Sequence, residues 1–530
     1  MTQDSMSTLA GLASFAKLQE FLMARSQEGS PEATLTFEAF EVELGHAVRG
    51  LENELKAADL SRYDLDADAV IVGGTEWHQC LCGQPKTYQS ASGPITVRRN
   101  LYRPAGGGKS ICPLELRAGI IVGLYTPVLA RQVAYMMGQM TSEETSQLCN
   151  ELGVSGPSSS SCDRLPKLLS TVWADNRQAW EEALRQHEEV PAEASVVAVS
   201  LDGVMVPDKD GQREAKATRE AAKEQGVCKQ LSGPAGYREV GCGTVTLYDE
   251  EAKRLSTVRY GRAPEYKKKT LTEQLDAELA SMVAVRPDLQ LVALADGAEE
   301  NWRYFDRPAY DHAIKIVDHG HASQHLKAAV AAYYGDKSVE GRAEYERLRI
   351  IVRDQPGGVA QAIAELCGLV RKMGGKRLKR RRKLLIAELT YFKNQCDRMD
   401  SAGYQAQGLP IGSGVVEAAC KTLATQRLKR SGMSWRDGKQ ALLTIRSLQQ
   451  SDRWAAAWAL LSGHFRVEVI AVRKRGHLRA LTFTQKAASP TGAASVSGLH
   501  PCRICIKRLR QSVLAIDHLI GVEVAVAPSG

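Results

Sequence analysis

The sequence predicts a multidomain α+β protein centred on a mixed five-stranded sheet that a helical insertion interrupts. Three observations carry this. At 530 residues the chain exceeds one ordinary core, because domains of about 100–200 residues are usual. From 195 to 335 the apolar period turns strand-like, with three strand runs and then strand, helix, strand, helix. A polar helical block at 336–410 then separates this run from a further helix bearing an acid in its first turn. Apolar content of 44% and charged content of 25% are those of a soluble globular protein.

Residues 1–65 read as an N-terminal helical region. Phe37, Phe40, Leu44, Val48, Leu51 and Leu55 recur at helical spacing and make one apolar stripe. Residues 66–118 form a small β-rich unit, with Val70–Gly73 and the alternating Ile95, Val97 and Leu101 as strands. This unit carries His78, Cys80, Cys82 and Cys112. A zinc ribbon needs two pairs of soft ligands, usually as CxxC. Here Cys80 and Cys82 are one residue too close and Cys112 stands without a second cysteine, which predicts an eroded ribbon and leaves zinc open. His500, Cys502 and Cys505 make another loose cluster that coincidence explains as well.

Residues 119–190 predict a helical, helix-turn-helix-like region. Thr141 with Glu144 three residues on is a capping-box start, Gly153 ends that helix, and Ser158–Ser161 opens the next. Such pairs read DNA, and they also serve as plain connectors. The start of the chain holds Asp4 and no basic segment, so no signal peptide is predicted. Ala118–Ala130, the longest apolar stretch, is broken by Gly123 and Pro127 and is too short for a membrane span. Twelve dilute cysteines read as reduced thiols of a cytoplasmic protein.

Ala194–Leu201, Val240–Tyr248 and Arg254–Tyr260 are three strands in a meander. Leu289–Ala295 and Ala313–Val317 follow, each with a helix after it. That is the order of an RNase H-like α/β core, with its first part at 191–335 and its last helices at 411–465. The block at 336–410 is a basic helical insertion, in which Lys376–Lys383 holds seven basic residues of eight. Residues 466–530 read as a basic C-terminal tail. From 336 onward there are 34 Lys+Arg against 15 Asp+Glu, although the whole chain carries only +8. Such a skew points to a polyanionic partner.

Asp202 ends the first strand and Asp296 the fourth, strands that lie side by side in such a sheet. Glu417 opens a helix behind Gly412-Ser413-Gly414. Three acids converging on one point suit two Mg²⁺ ions, about 3.5–4 Å apart, that grip both oxygens of an in-line phosphoryl transfer. Asp318 and His321 form a DxxH pair after the fifth strand and would support the ligands or the flanking DNA. Lys421, Arg427, Lys429 and Arg430, with Lys376, Arg377, Lys379, Arg380, Arg381, Arg382 and Lys383, would neutralise phosphates.

Six stretches in order resemble a known family: CPLELRAGIIVGLYTPVLAR (112–131), ELGVSGPSSSSCDRLPK (151–167), VSLDGVMVP (199–207), LADGAEENWRYF (294–305), IVDHGHASQHL (316–326) and IGSGVVEAACKTLATQRLKRSGMSW (411–435). The chain resembles the DDE transposases of bacterial insertion sequences, most closely the Kra-type family, over roughly residues 70–460. The DxxH pair is similar to that of the wider supergroup with the mutator-like transposases. The resemblance implies that Asp202, Asp296 and Glu417 hold two Mg²⁺ or Mn²⁺ ions in an RNase H-like domain. It implies an N-terminal DNA-binding region, homo-oligomers on paired terminal repeats, and a nucleoid-associated bacterial setting. It implies strand cleavage by water and attack of the freed 3′-OH on target DNA. Relatives commonly show two CxxC knuckles, which Cys80, Cys82 and Cys112 do not complete. The alternatives are an RNase H-like nuclease that never joins ends, and a catalytically idle DNA-binding protein.

Overall fold

A computed structural model describes residues 11–154, 156–224, 236–375 and 378–472. Lys376, Arg377, most of the C-terminal tail and the His500–Cys505 cluster lie outside the described residues. The chain divides into two compact units. One comprises 1–88, 95–124 and 465–530, and the other 89–94 and 125–464. The mixed α/β architecture and its two sheets are distributed over these two units.

In the first unit, α1 (Ala13–Ser26) and α2 (Phe37–Ser61) pair as a helical hairpin. The Thr36 hydroxyl caps α2 by accepting the Ala39 N–H at 3.2 Å. The predicted apolar stripe seats only in part: Phe40 stacks on Phe21, whereas Phe37 and Val48 are exposed. β1 (Ala69–Val72), β2 (Thr75–Ser90) and β3 (Gly93–Arg103) follow, then the short α3 (Pro113–Ala118). Alternation along β3 sends Ile95 and Val97 into a cluster with Leu60, Tyr88, Leu114 and Ile120.

The second unit opens with α4 (Pro127–Gln139), α5 (Ser142–Glu151) and α6 (Ser159–Gln186). The Thr141–Glu144 capping box forms as expected. Then come β4 (Val196–Pro207), α7 (Lys209–Glu224), β5 (Tyr237–Tyr248), β6 (Arg254–Arg262), α8 (Lys269–Val285), β7 (Gln290–Ala295), α9 (Glu299–Phe305), β8 (Ile314–Val317) and α10 (His319–Tyr334). The sheet runs β6-β5-β4-β7-β8. β4, β5 and β6 are an antiparallel meander, while β4, β7 and β8 are parallel. β4 is apolar at every position from Val196 to Val199 because both faces are covered. Val197, Val199 and Leu201 pack with Leu271 and Leu275, and Val196 and Ala198 pack with Leu294, Ile316 and Leu409.

One element here escapes the sequence reading. α7 stands between the first two strands, started by Asp208, whose Oδ1 accepts the N–H groups of Asp210 and Gly211. Nine of its sixteen residues are charged and its only apolar side chains are alanines, so no apolar stripe announces it.

The insertion consists of α11 (Val339–Asp354), α12 (Gly358–Lys372), α13 (Lys379–Gln395) and the short α14 (Ser401–Ala406). It builds no core of its own: Leu348, Leu366, Leu385 and Phe392 join the same cluster as Leu271, Ala293 and Leu326. α15 (Gly414–Ala419) runs on through a π-helical stretch, Cys420–Thr425, before α16 (Lys439–Gln450) and α17 (Trp454–His464). The expected C-terminal tail begins differently. β9 (Ile470–Val472) pairs antiparallel with β1 as an edge of the first unit's sheet. A strand of only three residues gives too short a period to read as one. Among the described residues, no helix is long and apolar enough to cross a membrane.

Candidate metal centre

Strand register places the acids. The β4–β7 ladder ends at Ser200 opposite Leu294, and two residues further on stand Asp202 and Asp296. The β7–β8 ladder ends at Ala295 opposite Val317, and the next residue on each strand is Asp296 and Asp318. The Asp318 N–H continues that ladder by donating to the Ala295 carbonyl at 2.9 Å. Asp202, Asp296 and Asp318 thus form one row across three adjacent parallel strands; β7 and β8 end there, whereas β4 does not end at Asp202 as expected but runs on to Pro207 beside β5. Ligands in open α/β sheets collect at such strand ends.

Glu417 is delivered to this row by two ties. The His319 N–H donates to the Ile411 carbonyl at 2.9 Å, and the Ser413 hydroxyl donates to Asp318 Oδ2. His321, in the first turn of α10, sets its Nδ1 3.0 Å from Asp318 Oδ2 and 3.4 Å from Glu417 Oε1. Among the described residues, Asp318, His321 and Glu417 are the group whose ligand atoms all lie within 4.8 Å of one another. The tightest group is therefore not the Asp202, Asp296 and Glu417 set expected from sequence. The pair assigned a supporting role sits at its centre.

The electrostatics describe one coupled cluster. The hydrogen bond that His321 donates to Asp318 raises His321 to about 9 against its own partial burial. Burial works to raise Asp318, but His321, the Ser413 hydroxyl and the Gly320 N–H outweigh it and hold this carboxyl well below the usual range. Burial and the Asp318 carboxylate push Glu417 up. Burial also raises Asp202, and the charge of Asp296 adds to it, while the Gly203 N–H and the Cys420 thiol oppose. Asp296 Oδ1 is oriented by the Ala298 N–H at 3.0 Å and Asn301 Nδ2 at 2.8 Å.

These donors fit a divalent cation. The charges of Asp296 and Asp318 add to the burial that raises Asp202 and Glu417, and His321 sits between Asp318 and Glu417. Carboxylate oxygens select hard ions such as Mg²⁺ or Mn²⁺, and one imidazole is compatible with Mn²⁺. A cavity of about 340 Å³ elsewhere in the second unit, bordered by Arg185, Arg254 and Ser451, includes none of these acids. The row is instead open at the strand ends, with Glu417 exposed.

The insertion reaches the row through α13, a contact absent from the sequence reading. Tyr391 stacks on His325 with ring centres 3.6 Å apart, and His325 Nδ1 lies 2.6 Å from Glu388 Oε2. Gln395 donates to the Gly297 carbonyl at 3.3 Å. The readable signals were His325 one turn after His321 and the helical spacing of Glu388, Tyr391 and Gln395.

The basic residues divide. Lys379, Arg380, Arg382, Lys383, Lys421 and Lys429 are exposed. Arg381 is spent on the Ala332 carbonyl at 2.8 Å and the Tyr333 carbonyl. Arg430 holds Glu144 through two bonds of 2.7 Å. Arg427 corrects the phosphate-contact expectation: it is 2% exposed, donates to the Met137 carbonyl at 3.1 Å, and burial pushes it down to about 10. The helix that carries it turns that side inward against α4.

The four suspected zinc residues do not converge. His78, Cys80 and Cys82 alternate along one exposed side of β2, while Cys112 is buried ahead of α3. A strand running through 75–90 replaces the hairpin tip that a ribbon requires. No protein-family model matches this chain, and no curated protein matches it either.

Proposed function

We propose that this protein is a DNA transposase of the DDE type, which cuts and joins DNA strands with divalent metal at an RNase H-like sheet. One observation carries the reading: Asp202, Asp296 and Asp318 form a single register row, and the segment after the insertion brings Glu417 to it. The meander followed by two parallel strands is the strand order such a core uses. A bound divalent cation would polarise a phosphoryl oxygen and make a hydroxide nucleophile accessible at neutral pH.

The chain's own residues do the rest. Asp202 and Asp296 present carboxylates from a rigid sheet, and Asp318 anchors His321 and Ser413 so that Glu417 stays in reach. Exposed Lys421 and Lys429 follow Glu417 in sequence, and Lys379, Arg380, Arg382 and Lys383 mark the far end of α13. These cations would follow a phosphate backbone, so binding weakens steeply with salt. The protein would act as a homo-oligomer on paired element ends.

The test is strand cleavage and joining with DNA carrying the repeats that flank this gene, in Mg²⁺ or Mn²⁺. Nicked ends and a joined target product are expected. Asp202→Asn should bind the same DNA but lose cleavage by about 10²-fold or more. Hydrolysis with no joined product makes the protein a nuclease, and cleavage unchanged in Asp202→Asn removes the assigned site.

A further inference from the structure

The Tyr391 hydroxyl is buried and has no hydrogen-bond partner among the described residues. A buried polar group left unpaired is destabilising. The ring itself is firmly held. It lies parallel to His325 within 19°, and Glu388 fixes His325 from the same helix, α13. It also fills the space above Gly297, the residue after Asp296. Any Cβ there would overlap the Tyr391 ring, and the hydroxyl would stand 3.0 Å from it.

The hydroxyl remains a donor. Burial raises its pKa most, and the charges of Asp296 and Asp318 raise it further. Those carboxylates do not accept its proton. Asp296 Oδ1 is taken by Ala298 and Asn301, and Asp318 by Gly320, His321 and Ser413. A held donor thus stands above Gly297, next to Asp296 of an acidic row in which each assigned carboxylate bond comes from another group. Phosphoryl transfer spreads negative charge over non-bridging oxygens, and preorganised donors stabilise that charge.

We propose that the Tyr391 hydroxyl donates a hydrogen bond to a non-bridging oxygen of the phosphodiester held at the carboxylate row. Tyr391 is then a catalytic residue contributed by the insertion, and His325 and Glu388 are positioning residues. This rests on the phosphoryl-transfer reading above.

The experiment is single-turnover cleavage by Tyr391→Phe, which deletes the hydroxyl and keeps the stacked ring. The rate should fall about 10–100-fold. The DNA dissociation constant should change less than about threefold. Free Tyr391→Phe should melt at or above the wild-type temperature, because no intramolecular bond is lost. His325→Ala, which frees the ring, should lower both the rate and the melting temperature. Wild-type cleavage rates in Tyr391→Phe overturn the proposal. So does a lowered melting temperature with DNA binding reduced in step, which marks a structural hydroxyl. Wild-type protein that shows no metal-dependent cleavage overturns the phosphoryl-transfer reading itself, whereas active wild type with equally active Tyr391→Phe removes Tyr391 alone.

Discussion

Asp318 is where the centre is fastened. It caps α10 through the Gly320 N–H at 2.7 Å, accepts from Ser413 and pairs with His321, all while 2% exposed. Ser413→Ala removes a bond to a buried charge and should cost about 1.5–3 kcal/mol in chemical denaturation. It should also slow cleavage, because the segment bearing Glu417 loses one of its two ties to the start of α10. Unchanged stability and rate would show that Ser413 does not hold the segment. Gly297→Ala is a second residue-scale case. The new methyl meets Tyr391, so overpacking of about 1–3 kcal/mol is expected together with a slower reaction. The acids themselves were readable as carboxylates at strand ends. The importance of Asp318 was not, because register across β7 and β8 is set by pairing, and spacing in sequence does not encode pairing.

At the scale of elements, α5 shows what local chemistry makes visible. Thr141 and Glu144 spell a capping box, and the box forms. Thr141→Ala should cost about 1 kcal/mol. Glu144 also grips Arg430, and hydrogen bonds from Arg430 first, then Thr141, hold its carboxyl down at about 2. A depressed carboxyl contributes stability that is present above the usual value near 4.5 and is lost as pH falls through about 2. The pair is some two-fifths exposed, so its contribution should stay below about 1 kcal/mol and shrink with salt. Acid unfolding followed by circular dichroism should show wild type losing this stability between about pH 4.5 and 2, and Glu144→Gln should flatten that loss. α7 and β9 mark the limit of such reading. One helix is too charged to show a stripe, and one strand is too short to show a period.

At the scale of the molecule, the second unit is held as one body by buried charge as well as by apolar packing. Arg453, ahead of α17, reaches Glu278 on α8 at 2.6 Å and the Tyr260 hydroxyl on β6 at 2.9 Å, and also pairs with Glu188. Arg453→Ala strands two carboxylates and should cost about 3–5 kcal/mol, read from urea unfolding. Element order was legible because both-sided burial makes β4 a continuous apolar run and edge exposure makes β6 alternate. The merging of the insertion into the sheet's core was not, since an amphipathic helix does not name its partner. The row's identity as a metal centre is tested most directly by Mn²⁺ titration followed by electron paramagnetic resonance, on wild type, Asp202→Asn and Glu417→Gln. Saturable binding in wild type, weakened about tenfold or more in both variants at unchanged melting temperature, is the predicted result. Equal Mn²⁺ binding by all three proteins would contradict it.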